Sequence, residues 1–164
     1  MSSLGSNLVM YEEEFDRINA LLSRLWVDAN AKIVFLVDKN GQQIAAKGNL
    51  DKVDATSLAS LTAGNVAATD GLARLIGEKE FSILFHEGER DNIHISIVGQ
   101  RLILVVIFDE RSSLGLVRLR VRKAAAEVED VITQMANKAA EQGQVAASPF
   151  AEITDEDIDA LFSE

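Results

Sequence analysis

The stretch Phe81-Ser-Ile-Leu-Phe-His-Glu-Gly-Glu-Arg-Asp-Asn-Ile-His-Ile-Ser-Ile-Val-Gly-Gln-Arg-Leu-Ile-Leu-Val-Val-Ile-Phe108 decides the architecture. It divides into three short apolar runs, Phe81 to Glu87, Asn92 to Val98 and Arg101 to Phe108. The connections Gly88-Glu-Arg-Asp91 and Gly99-Gln100 are too short for a crossover, so the three runs are antiparallel neighbours. Leu102 to Phe108 is apolar at every position, which places it centrally with both faces covered. Phe81-Ser-Ile-Leu-Phe85 is largely apolar too. It would be an exposed edge in a single subunit, and such edges invite pairing with another chain.

Working backward, Lys32-Ile-Val-Phe-Leu-Val37 and Gln42 to Lys47 form another strand pair, joined by the turn Asp38-Lys-Asn-Gly41, where Asn and Gly tolerate positive φ. Ahead of them, Tyr11, Phe15, Ile18, Leu22, Leu25 and Ala29 recur at helical steps and predict a helix over Tyr11 to Ala29. Working forward, Leu114, Val117, Val121, Ala124, Val128, Val131 and Met135 mark a long helix from near Ser113. With the helix between the strand groups, the order is helix, two strands, helix, three strands, helix. This is an α+β chain whose economical solution is one five-stranded antiparallel sheet with helices on its faces.

The middle helix raises a question of its own. Asp54 fits its N-cap and Gly77 its stop. Leu58, Leu61, Leu72, Leu75 and Ile76 share one side and are read as facing the sheet. Ser60, Ala63, Gly64, Ala67 and Gly71 lie opposite and carry nothing larger than a methyl or hydroxymethyl group. Two glycines inside a helix cost about 1 kcal/mol each relative to alanine. Close approach of another protein's backbone accounts for such a face better than solvent does.

Residues 139 to 149 lose the helical stripe and are rich in Ala, Gln, Gly and Ser, which reads as a linker. It leads to an acidic segment, Phe150 to Glu164, with its own helix-start signals. Thr154 fits the N-cap, Asp157 sits where a capping-box acid would be, and Ile153 and Ile158 match a hydrophobic staple. Ile158, Leu161 and Phe162 then line one side. The resulting organisation is a flexible N-terminus over 1–8, a folded domain over 9–138, a linker over 139–149 and a partner-binding segment over 150–164.

Composition narrows the function. The chain has 164 residues and a formal net charge of −10, which disfavours nucleic acid and anionic membrane as partners. It has no cysteine, so thiolate metal sites and cysteine nucleophiles are excluded. No apolar run is long enough to span a bilayer, and Met1 to Asn7 lacks the basic start of a signal peptide, so a cytoplasmic protein is expected. There is no phosphate-binding loop of the Gly-x-x-x-x-Gly-Lys type. His86 and His94 could face each other across their hairpin but make a poor metal site, and ordinary surface histidines are the expectation. Glu12, Glu13 and Glu14 read as a solvated first helical turn. Ser57, Ser60 and Ser96 lack a nucleophile context. No catalytic residue, metal or cofactor is expected. Arg118, Arg120, Arg122 and Lys123, preceded by Arg111, are read as a solvated face paired with Glu127 and Glu129, the sharper alternative being an arginine finger for a nucleotide hydrolase.

Five stretches together carry a resemblance. Val9 to Phe15, Val34 to Gln42, Ser57 to Ala68, Phe108 to Arg120 and Ser148 to Phe162 resemble the branch of the roadblock (dynein light chain) family that acts in bacterial cell polarity and gliding motility. The resemblance implies a homodimer with the middle helices side by side and the sheets joined through Phe81 to Glu87. It implies a partner, a small Ras-like GTPase, meeting Ser60, Ala63, Gly64, Ala67, Ala68 and Gly71 across the paired helices. It further implies activation of GTP hydrolysis without an inserted arginine, by holding the GTPase so that its own arginine and glutamine reach the γ-phosphate. The tail residues Phe150, Ile153, Ile158, Leu161 and Phe162 are then expected to dock elsewhere on the GTPase and promote nucleotide exchange, in a cytoplasmic protein enriched at a cell pole. A structural roadblock scaffold without effect on hydrolysis is the alternative.

Overall fold

The computed structural model describes residues 2–4, 8–10 and 12–151, with side chains over 12–141. A short antiparallel hairpin opens the chain, β1 (Ser2–Leu4) with β2 (Leu8–Met10). It falls in and just beyond the stretch read as a flexible N-terminus, where Leu8-Val9-Met10 is strand-forming composition.

Helix α1 (Glu12–Asp28) starts on three acids, which the helix dipole favours at that end. Ile18, Leu22 and Leu25 are buried along it, as the stripe predicts. Asn30, at φ 51°, turns the chain out of the helix, and its N–H donates to the Val27 carbonyl at 3.1 Å. The sheet follows the order β4-β3-β7-β6-β5, with β3 (Ile33–Asp38), β4 (Gln43–Gly48), β5 (Ile83–Glu87), β6 (Asn92–Val98) and β7 (Leu102–Phe108). Every neighbouring pair is antiparallel. The all-apolar strand β7 is in the middle, and β4 and β5 are the edges.

Alternation along the strands builds two cores. Val34, Leu36, Leu104, Val106 and Phe108 face α1 and α3 (Leu114–Ala151), against Ile18, Leu22, Val117, Val121 and Val128. Ile33, Phe35, Val37, Ile95, Ile103 and Val105 face the opposite way, toward α2 (Ala55–Leu75), meeting Ala59 and Val66. The helices therefore cover both faces, as expected.

One boundary differs from the sequence reading. Helix α3 continues across 139–149, the stretch read as a linker, and ends at Ala151. Ala, Gln and Glu dominate there, and these are strong helix formers. Losing an apolar stripe removes the signal for a buried face, not the propensity for helix.

Candidate functional site

Helix α2 is set firmly at both ends. The Asp54 carboxylate accepts from the Ser57 N–H at 3.1 Å and the Ser57 hydroxyl at 2.7 Å. The hydroxyl and then the backbone hydrogen bond hold the Asp54 pKa below the usual carboxylate value. At the far end Gly77 adopts φ 84°, and the Glu78 N–H donates to the Ala73 carbonyl at 2.8 Å. Cap and stop stand where the sequence puts them.

The facing of the large residues of α2 is the reverse of the sequence expectation. Ala59, Thr62, Ala63, Val66 and Ala73 are its buried residues. Leu61, Leu72, Leu75 and Ile76 are 73%, 60%, 83% and 70% exposed, and Leu58 is half-buried. The reason lies in the sheet. Phe35, Ile95, Ile103 and the other large side chains beneath α2 already fill the layer, so the helix sits low on methyl-sized residues. Ala63, expected on the partner face, is therefore core. Ser60, Gly64, Ala67 and Ala68 are exposed and Gly71 is half-buried. A Cβ placed on Gly64 or Gly71 would meet nothing within 4 Å. Packing within the subunit does not require either glycine.

Two flanks can be told apart on this outer face. Leu61, Asn65, Leu72 and Ile76 run along one side, and the Asn65 Nδ2 lies 3.1 Å from the His86 Nε2 of β5. That flank therefore borders the edge strand β5, whose Ile83 (50% exposed) and Phe85 (37% exposed) project from the other face of the sheet, the side of α3. Ser60, Gly64, Ala67 and Gly71 recur at four-, three- and four-residue steps along the other side. Gly41, in the β3–β4 turn, lies against Ser60, so this second flank points the opposite way. A leucine ridge continuous with an open strand edge thus stands beside a smooth strip of small residues.

His86 and His94 do not face each other. Phe85 pairs with His94 and His86 with Ile93, so the two imidazoles project from opposite faces of the sheet. His94 is buried beneath α3 rather than on the surface, with no hydrogen-bond partner at either ring nitrogen among the described residues. Burial, and secondarily the charge of Arg118, push its pKa below the usual imidazole value. Ser96, two residues on, is also buried with an unpartnered hydroxyl. Glu14 is buried rather than solvated, with Lys138 Nζ 3.5 Å from its Oε1. The basic residues Arg118, Arg120, Arg122 and Lys123 do not pair with Glu127 or Glu129. Glu127 is held by Arg24 at 3.5 Å instead. Among the described residues no group of three or more His, Asp or Glu could hold a metal ion, and no helix is long and apolar enough to cross a membrane. Of the tail residues, Phe150 falls within α3, and Ile153, Ile158, Leu161 and Phe162 lie outside the described residues.

Two helices on one face, one on the other, and an open strand edge beside a bare helix define a roadblock domain. Residues 17–108 match the Roadblock/LC7 domain, and the chain belongs to that family. Within the family it is similar to MglB proteins. Against Myxococcus xanthus MglB it is 62% identical over 78% of this chain and 96% of that one, with a TM-score of 0.74. Against the gliding protein MglB of Thermus thermophilus it is 31% identical over 81% of this chain and 99% of that one, with a TM-score of 0.75. A further structure, described as MglB with tetrameric arrangement, is also 31% identical, over 82% and 99% of the two chains, with a TM-score of 0.75. No curated protein matches the chain.

Proposed function

We propose that this chain is a homodimeric GTPase-activating partner of a small Ras-like GTPase of the MglA type, working in cell polarity and gliding motility. The observation that carries the reading is the outer face of α2, where four large aliphatic side chains stand exposed beside glycines that nothing in the subunit requires. Full burial of a leucine-sized side chain is worth about 1.5–3 kcal/mol, so a ridge of four strongly favours being covered. The leucine flank and the β5 edge, being continuous, take the second subunit. The strip Ser60, Gly64, Ala67 and Gly71 takes the GTPase.

The strip offers backbone at close range and no group that could join the chemistry. Activation is then positional: the dimer holds the GTPase so that the GTPase's own arginine and glutamine are ordered around the γ-phosphate and the attacking water. Residues 150–164 dock elsewhere on the GTPase and promote nucleotide exchange. The MglB likeness, including a Thermus protein named for gliding, supports the partner class. The test is single-turnover GTP hydrolysis by the MglA-type GTPase from the same genome, with and without this protein. A rate increase of ~tenfold or more is expected. Tight binding with an unchanged rate would leave the scaffold reading in its place.

A further inference from the structure

Arg118, Arg122 and Lys123 are exposed in the second and third turns of α3, with Arg120 half-buried beside them. None of the four forms an ion pair among the described residues. They stand in the second and third turns of α3, past the first turn over which the helix dipole acts, so the dipole does not account for them. In their midst Leu119 is 60% exposed. A basic face with an apolar centre, on a chain of net charge −10, fits an acidic peptide that brings apolar side chains. It does not fit a polyanion such as nucleic acid, which the rest of the chain would repel.

Such a peptide is present in this sequence. Residues 150–164 carry Asp155, Glu156, Asp157 and Asp159 around Ile158, Leu161 and Phe162, and contain no Lys or Arg. Reach decides whose segment it is. From Lys123 to Ala151 the helix runs ~42 Å at ~1.5 Å per residue. Ile158 lies seven residues past Ala151, so even fully extended chain brings it back by only ~25 Å. The last residues come close to Lys123, but a subunit's own acids at Asp155 to Asp159 fall short of its own basic face. We propose that the acidic segment of a second copy docks on the Arg118–Lys123 face of α3, joining dimers into larger assemblies. The face is on the opposite side of the sheet from α2, so it stays open when the α2 surface is covered. A segment held there is unavailable to a GTPase, which makes assembly a brake on whatever that segment does.

The test is a charge swap in the full-length protein, followed by sedimentation velocity at low and high salt with no GTPase present. One variant carries Arg118→Glu and Arg122→Glu; the other carries Asp155→Lys, Asp157→Lys and Asp159→Lys. The wild type is expected to form species larger than a dimer at low salt and to lose them at high salt. Each variant alone should weaken that association at least ~tenfold while keeping the dimer and its circular dichroism. Mixing the two variants should restore it, since each then offers the other an oppositely charged partner. Association unchanged in the Arg118→Glu/Arg122→Glu variant, absent in the wild type, or not restored on mixing would overturn the proposal. Because no GTPase enters the experiment, these outcomes leave the GTPase-activating reading untouched.

Discussion

The Asn65 side-chain amide meets the His86 imidazole at 3.1 Å, tying the outer flank of α2 to the edge strand β5. This contact makes a helix flank and a strand edge into one surface. Hydrophobic contact on the helix and backbone pairing on the strand would therefore be made together or not at all. Asn65→Ala is expected to loosen the pair and weaken the dimer, while leaving the two cores intact. Comparing dimer dissociation constants by sedimentation equilibrium measures this, and an increase of ~3- to 10-fold is expected for one hydrogen bond of ~1 kcal/mol.

Leu72→Glu addresses the ridge more severely. Leu72 is 60% exposed in the subunit, so its replacement should change subunit stability by no more than ~0.5 kcal/mol. At a covered interface the new carboxylate would be desolvated without a partner, which should raise the dimer dissociation constant at least ~100-fold. A variant still dimeric at micromolar concentration would remove the ridge from the interface.

The glycine strip separates stability from function. Gly64→Ala and Gly71→Ala should each stabilise α2 by about 0.5–1 kcal/mol, since a Cβ at either position meets nothing within 4 Å. Gly71→Arg should fold equally well yet abolish stimulation of GTP hydrolysis, because the side chain would hold the two proteins apart. Thermal unfolding and GTP turnover on the same samples distinguish the effects. Normal turnover by Gly71→Arg would place the GTPase elsewhere.

His94 should make the fold acid-sensitive. Burial holds its folded-state pKa below the ordinary value, and Arg118 on α3 adds to the effect. The unfolded chain therefore takes up the proton first. This contribution to stability is complete above the unfolded imidazole pKa of about 6.5 and is lost as pH falls below it, with a slope of at most ~1.4 kcal/mol per pH unit. His94→Leu should flatten the profile between about pH 6.5 and 5, and should raise stability at low pH by removing two unpartnered ring nitrogens. Urea unfolding at a series of pH values gives the slope directly. An unchanged slope in the variant would assign the acid sensitivity to other groups.

Removing Phe150 to Glu164 should spare the dimer and most of the GTPase activation, while lowering any stimulation of exchange. The acidic contribution should also fade as salt rises. Release of a fluorescent nucleotide from the GTPase, with full-length and truncated protein, compares the two. Equal rates would deny the segment a part in exchange.

The strands were legible because their signals are local. Leu102 to Phe108 has no polar residue to expose, and that alone puts β7 between β3 and β6. Asp54 and Gly77 were legible for the same reason, since a cap is a matter of one turn of chain. The facing of α2 was not. Leu61 and Leu75 outrank Ala59 and Ala63 in hydrophobicity, and only the volume already supplied by Phe35, Ile95 and Ile103 reverses the order of burial. Alternation along β3 and β7 held that signal, because both strands present large residues to both faces. The burial of His94 escaped because one polar residue in a strand looks like the solvent side. Its register opposite Val106 places it under α3. The true length of α3 escaped because Ala and Gln form helix without patterning it.

The position of β7 has a consequence on the timescale of isotope exchange. Its amides are bonded between β3 and β6, with a packed layer above and below. They should exchange with deuterated solvent only when the whole domain opens, so their slowest rates report the global unfolding free energy. The amides of β5 along its free edge have no such protection in a lone subunit. In a dimer joined there they should slow with increasing protein concentration, while those of β7 keep pace with the stability of the assembly. The β5 rate at a given concentration, divided by its limit at high dilution, therefore gives the fraction of subunits standing alone, without a label on either chain.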